Sequence, residues 1–225
     1  MDFATADFYT RYARTLMVSP EAKRSAMLSH VERSLRPGAS VLDVGAGAGR
    51  DVTAMVELGF DAFGVEPSPD MLAFARHAHP ALASRMAQAS LPGLERPFSD
   101  QMPAGFDAVT CSAVLMHIEP CDLAQALKAM VDQLRATAFD NVEATVPALL
   151  ISLPRLDSSR LVGHRDADGR RFHNHDPGHV RDLLMPNGLL LERSEDSEVV
   201  LAETGTLWTT LIFRRSSTAA VRKAA

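Results

Sequence analysis

Cysteine is almost missing from this chain. Cys111 and Cys121 are its only two among 225 residues, too few for a disulfide framework or a cysteine-rich zinc site. No stretch reaches the ~18 consecutive apolar residues that a membrane-spanning helix needs. Nor is there an excess of positive charge. The formal net charge is -5, so no global basic character points to nucleic acid as a partner. The opening MDFATADFYTRYARTLMV carries acids early and has no long apolar centre, so it is not expected to act as a signal peptide. Internal repeats and a clear domain boundary are also lacking. These absences predict a cytoplasmic chain in a reducing compartment.

What is present suits one globular domain over residues 1–215, with 216–225 as a disordered tail. The chain is 46% hydrophobic and 23% charged, and long enough to bury a substantial core. Residues 1–35 read as helical, a candidate lid, ended by the turn-forming Pro37 and Gly38. SVLDV then reads as a short buried strand, followed by Val52, Met55 and Val56 at helical spacing, with Gly59 as the stop. DAFGVE (61–66) is a second strand. Ser68 and Pro69 supply an N-cap and a first helical position for the next helix. Residues 81–89 form a weaker third strand, and a proline- and glycine-marked loop leads to a fourth over 106–112. Leu123, Leu127, Met130, Val131 and Leu134 lie on one helical stripe. A fifth strand covers 148–153, and a polar loop runs over 154–176. Val180, Leu183 and Leu184 mark a helix closed by Pro186 and Gly188, and two strands end the domain. This order predicts an α/β fold: a doubly wound, mostly parallel, seven-stranded sheet with helices on both faces and a C-terminal antiparallel hairpin.

The most informative stretch is VLDVGAGAGRD (41–51). A glycine turn after the first strand of such a sheet lies where ligands bind, and the helix that follows offers free backbone N–H groups. A dinucleotide site wants G-x-G-x-x-G, whose last glycine would fall at Arg50; a P-loop wants Gly-Lys-Ser/Thr, which is missing. Pyrophosphate is therefore disfavoured. Glu66 ends the second strand beside this turn, and a carboxylate there can accept hydrogen bonds from both ribose hydroxyls. A nucleoside with a free diol fits both features.

The order VLDVGAGAGRD, GVEPSPDML, FDAVTCSAVLMHI resembles the class I S-adenosylmethionine-dependent methyltransferases over about residues 8–214. Asp43, Gly45, Gly47 and Gly49 match the family's first motif, and Glu66 matches its ribose-binding acid. The resemblance implies a cofactor site for S-adenosyl-L-methionine at Asp43, Gly45, Ala46, Gly47, Glu66, Pro67, Met71, Ala89, Ser90 and Ser112. Two departures stand out. Ala89 falls where the family often has an acid for the adenine amino group, leaving Gln88 or Ser90 as polar substitutes. RATAFDNVEATVPAL replaces the family's usual Pro-Gly-Gly before the fifth strand.

Methyl transfer needs an in-line approach more than covalent help. A base is required only where the acceptor keeps its proton at neutral pH. His117, after the fourth strand, is the candidate base, or else a histidine that packs at a helix start. His164, His173, His175 and His179 raise a metal reading. Asp176-Pro177, however, reads as a helix start, which places His175 outside the helix that carries His179; no metal site is expected, and loop or substrate contacts are the alternative. On the N-terminal helix, Tyr9 and Tyr12 wall the site and Arg14 pairs with the cofactor's carboxylate, or all three simply pack. Arg50 binds the cofactor's carboxylate or covers the helix start. Trp208, Phe213 and Met130 are expected in the core, and Cys111 as a buried strand residue. The expected function is methyl transfer to a small-molecule acceptor. The alternative is a protein that binds S-adenosylmethionine without methylating, and a nicotinamide oxidoreductase is disfavoured by the glycine spacing.

Overall fold

A computed structural model describes residues 1–18, 25–136, 146–197 and 206–216. The segment 137–145 and the tail 217–225 lie outside the described residues, and with them the expectations for the Pro-Gly-Gly replacement and the terminal disorder.

Seven strands form one sheet in the order β3-β2-β1-β4-β5-β7-β6. Their bounds are β1 Ser40–Val44, β2 Asp61–Glu66, β3 Met86–Gln88, β4 Ala108–Ser112, β5 Ala148–Arg155, β6 Leu189–Ser197 and β7 Leu207–Arg215. The first five pair in parallel, while β7 runs antiparallel between β5 and β6. The expected fold class and closing hairpin are thus what the chain adopts. The third strand is shorter than expected. Residues Pro80–Leu82 wind into a 3-10 turn, and only three residues pair with β2, because β3 is the sheet edge and has no second neighbour to extend it.

Alternation along the strands divides the core in two. Leu42, Val44, Val109, Cys111, Leu149 and Ile151 face one side. There they meet α5 (Leu123–Val131) and α6 (Pro177–Leu184) through Leu123, Leu127, Met130, Val180 and Leu184. Val41, Ala62, Ala108, Ala148 and Leu150 face the other. Against them pack α2 (Ala26–Ser34), α3 (Arg50–Glu57) and α4 (Pro69–Ala78). Phe213 and Met130 are fully buried. Trp208 is only half-buried, because it pairs with Pro154 beyond Ser152, where β4 has already ended. Val56 is also more exposed than its spacing predicts, since Val52 and Met55 already fill the inward face of α3.

The helical N-terminus divides into two unlike parts. α2 is a core helix: Met27, Leu28 and Val31 join the sheet cluster. α1 (Phe3–Val18) instead packs on α4, where Ala13 and Leu16 meet Met71 and Phe74 in a separate small cluster. Only α1 is placed as a lid would be, because α2 is anchored beneath the sheet.

Candidate functional site

The strand order turns back between β1 and β4: β2 lies on one side of β1, and the chain returns to its other side as β4. A crevice opens at the carboxyl ends of the strands at such a point, and the glycine turn leaves β1 there. Gly45, Gly47 and Gly49 have φ of +78°, +54° and +74°. Any other residue would be strained at these angles. Gly45 has a second constraint, because a Cβ built on it would run into the Val114 side chain. The turn is tied to β2 by Gly45 N–H and Ala46 N–H, which both donate to the Val65 carbonyl at 2.8 and 2.9 Å.

Glu66 is 5% exposed and sits between two backbone donors. Gly47 N–H donates to Oε2 at 2.9 Å and Ser68 N–H to Oε1 at 2.8 Å. Burial raises its pKa, and these two donors work against the rise. An ionised carboxylate offers about four lone-pair sites; two remain on Glu66 for a diol. Its rigid placement follows from the turn and from the Ser68 cap, whose Oγ accepts from Met71 N–H at 3.3 Å. Asp43 shares the strand parity of Val41 but lies nearer the carboxyl end. It is 7% exposed and accepts from Thr110 Oγ1 at 2.8 Å. Burial, and then the charge of Asp51, pushes its carboxyl up to about 7.

Beside Glu66 lies a cavity of about 450 Å³, a size ordinary for a small-molecule site. Pro67, Ser68 and Pro69 line it after β2, and Gln88, Ala89 and Ser90 after β3. Met1, Ala6 and Thr10 of the N-terminal segment complete it. Thr10 Oγ1 donates to Asp70 at 2.7 Å and so ties α1 to α4 at this edge. Of the expected cofactor residues, Pro67, Ala89 and Ser90 line the cavity, and Glu66 lies behind it. Ala46 and Gly47 form the adjoining turn, which Met71 supports from below α1. Ser112, half-buried, ends β4 across the switch point. Gln88 Nε2 donates to the Pro67 carbonyl at 3.3 Å, so that amide is already engaged, while Ser90, the other expected polar substitute, lines the same cavity.

His117 ends a short 3-10 turn after β4 and is 8% exposed. Its Nδ1 lies 2.6 Å from the Arg171 carbonyl, and its Nε2 lies 3.0 Å from the Tyr9 hydroxyl. A carbonyl can only accept, so Nδ1 carries the proton and Nε2 accepts from Tyr9. Burial lowers the pKa of His117, so the ring is held neutral. Arg171 belongs to a small hairpin within the polar loop, closed by Phe172 N–H to His164 O at 2.8 Å and anchored by buried Phe172. α1 is strapped to this hairpin. The Thr5 hydroxyl accepts from Arg171 N–H at 2.8 Å, Asp2 pairs with Arg165 at 2.9 Å, and the Arg170 guanidinium lies 4.5 Å from the Phe8 ring centre. Burial works against the ionised Asp2, yet the Thr5 hydroxyl and Arg165 hold it at about 2.

The other expected candidates divide. Tyr9 reaches His117, whereas Tyr12 stacks on Phe8 at 5.8 Å and Arg14 is exposed. Arg50 pairs with Asp51 at 3.0 Å. Cys111 is buried in β4, where burial pushes its thiol well up. His175 precedes α6, whose cap is Asp176, so His175 and His179 share no helix face. His175 Nε2 instead donates to the carbonyls of Leu115 and Ile118. His173 sits 3.0 Å from Glu119. Among the described residues, no group of three or more histidine, cysteine or acidic side chains is placed to hold a metal ion. Thr5, Arg170 and the Arg171 carbonyl were not foreseen. Only Tyr9 carried a signal, as an aromatic on the N-terminal helix.

Residues 41–137 match the family model of a methyltransferase domain. A ubiquinone biosynthesis O-methyltransferase of Xanthomonas campestris is 37% identical over 82 residues, 36% of this chain and 34% of that protein. The mitochondrial ubiquinone biosynthesis O-methyltransferase of Schizosaccharomyces pombe is 31% identical over 128 residues, 54% of this chain and 44% of its own. The chain thus spans less than half the length of these curated relatives. Among solved structures, the 1,6-didemethyltoxoflavin-N1-methyltransferase of Burkholderia thailandensis superposes with a TM-score of 0.67 at 19% identity, over 95% of this chain and 87% of that one. That structure holds 1,6-didemethyltoxoflavin and S-adenosylhomocysteine, and at this identity the likeness concerns the fold. The domain match covers the glycine turn, β2 and β4, and the fold around them is the one that this methyltransferase structure shares.

Proposed function

We propose that the protein transfers a methyl group from S-adenosylmethionine to a hydroxyl of a small molecule. The observation that carries this reading is the buried Glu66 carboxylate, oriented by Gly47 and Ser68 beside a cavity of nucleoside size. The residues fit the cofactor. Glu66 takes the ribose hydroxyls, and Pro67, Ala89 and Ser90 enclose the base. The glycine turn, with the acidic Asp43 behind it, receives the cationic methionine portion. The cofactor supplies the electrophilic methyl.

Oxygen as the acceptor atom is supported from two sides. The curated relatives are O-methyltransferases, and the buried neutral His117 is suited to receive the proton that a hydroxyl must lose. An enzyme is favoured over a binding protein because the segment that carries His117 meets the glycine turn through Val114. α1 acts as the lid, held by Thr10 on one side and by Asp2, Thr5 and Phe8 on the other. Closing it keeps water from the transfer and holds the acceptor in line, positioning worth about 7–11 kcal/mol. A cytoplasmic setting is in keeping with two free cysteines and with helices that, among the described residues, are too short or too polar to span a membrane.

Calorimetry with S-adenosylmethionine, S-adenosylhomocysteine and NAD tests the binding half. Binding of the first two and not the third is expected, and Glu66→Ala should weaken binding by roughly 1.5–3 kcal/mol. Release of S-adenosylhomocysteine with a panel of small hydroxylated molecules tests the reaction. Binding without release across the panel would leave the non-methylating alternative standing instead.

A further inference from the structure

His117 has no ring nitrogen left for an acceptor. Nδ1 donates to the Arg171 carbonyl at 2.6 Å, Nε2 receives the Tyr9 O–H at 3.0 Å, and the side chain is buried. The two rings meet edge-on, with centres 5.8 Å apart and planes at 78°, which aims the phenol's edge at the imidazole. The Glu66 carboxylate acts on the Tyr9 phenol, which places that phenol on the side of the glycine turn. A phenol oxygen that donates its own hydrogen has two lone pairs; the Arg170 guanidinium donates to one, and the other is left to accept from a hydroxyl.

We propose that Tyr9 is a catalytic residue that touches the acceptor hydroxyl and relays its proton to His117, which acts behind it as the positioning residue. The inference rests on the reading of this site as one for O-methylation. As the acceptor oxygen bonds to the methyl carbon, the carbon–sulfur bond breaks and its electron pair stays on sulfur. The acceptor O–H bond breaks toward the Tyr9 oxygen while the Tyr9 O–H bond breaks toward His117 Nε2. Tyr9 ends as a neutral phenol, and the positive charge that began on sulfur ends on the imidazolium. No further reactant is needed. The Arg171 carbonyl, already bonded to Nδ1–H, stabilises that imidazolium.

The surrounding charges are compatible with this transfer. Around His117 stand Arg170 and Asp166 of the hairpin and Asp2 beside α1. Around Tyr9 stand Arg170, Asp166 and Glu66. Burial keeps Tyr9 a phenol and His117 neutral before the transfer. The relay also couples chemistry to closure, because Tyr9 is carried by the strap α1 and reaches His117 only while α1 is docked on the hairpin.

The test has two arms. In the first, the full chain with ¹⁵N-labelled histidine is studied without any ligand. His117 should be a neutral Nδ1–H tautomer, and Tyr9→Phe should shift its Nε2 resonance; an Nε2–H tautomer overturns the proposal. In the second, wild type, Tyr9→Phe, His117→Ala and the double variant are compared with a hydroxylated acceptor that the wild type methylates, after thermal melts show that each variant is folded. The expected result is a fall in kcat of about 100-fold or more in each single variant. The double variant should be no slower than either, and the KM for S-adenosylmethionine should be unchanged. Wild-type kcat in Tyr9→Phe, with or without a loss in His117→Ala, overturns the relay and leaves O-methylation standing. Absence of turnover by the wild type with every hydroxylated acceptor overturns both.

Discussion

Asp43→Asn should stabilise the folded protein in mild alkali while weakening its grip on the cofactor. Asp43 is buried at the end of β1 with Thr110 as its side-chain partner, and its carboxyl is pushed from 3.8 up to about 7 by burial and then by Asp51. The folded pKa is raised, so the associated stability is fully present below the unfolded value and is lost as pH rises through about 7. Above that pH the fold carries a buried carboxylate at a cost of up to ~4 kcal/mol, at 1.36 kcal/mol per unit. Asparagine keeps the shape and can still accept from Thr110. Its new amide N–H groups cost roughly 1–3 kcal/mol if one is left without a partner. The net gain is then about 1–3 kcal/mol, or roughly 2–12 °C in Tm for a chain of this size. The assay is thermal unfolding of both proteins at pH 5 and pH 8.5. The variant should melt higher only at pH 8.5, and S-adenosylmethionine binding should fall by roughly 10-fold or more as one charged contact is lost. A Tm difference independent of pH, or a less stable variant at pH 8.5, would refute the reasoning.

Gly45→Ala combines a φ of +78° with a collision against Val114. It should cost roughly 2 kcal/mol or more in stability and remove cofactor binding, and an unchanged melting curve would show that the turn is not constrained as described. Stability should also depend on pH on the acid side. Burial lowers the pKa values of His30, His117, His173 and His175, so the unfolded chain takes up these protons first, near 6.5. The stability they confer is present above 6.5 and is lost as pH falls through their lowered folded values. Urea titrations of the Asp43→Asn variant between pH 7.5 and 5.5 should show this loss free of the opposite contribution of Asp43, and adding His117→Asn should reduce its slope.

Much of the fold was legible because it is written in local pattern. Alternate burial in β5, the stripe Leu123–Leu127–Met130 and the cap at Ser68 each follow from neighbours along the chain. Errors arose where a neighbour in space decided the outcome. β3 shrank because it has one partner, Trp208 lost its cover beyond β4, and α2 went beneath the sheet rather than over the site. Glu66 was legible in position, at the end of β2 beside the glycine turn, but not in its two backbone donors.

By itself the sequence determined the parallel α/β order, the need for glycine in the turn 45–49 and the acid that ends β2 beside it, because strand periodicity and turn chemistry act over a few residues. Only the tertiary structure decided what surrounds His117. Tyr9 lies 108 positions away in sequence and the Arg171 carbonyl 54, and no local pattern ties a phenol on α1 to an imidazole after β4. Their meeting depends on how α1 docks on α4 and on the hairpin. That long-range packing makes the imidazole neutral, selects its tautomer and places a hydroxyl in front of it.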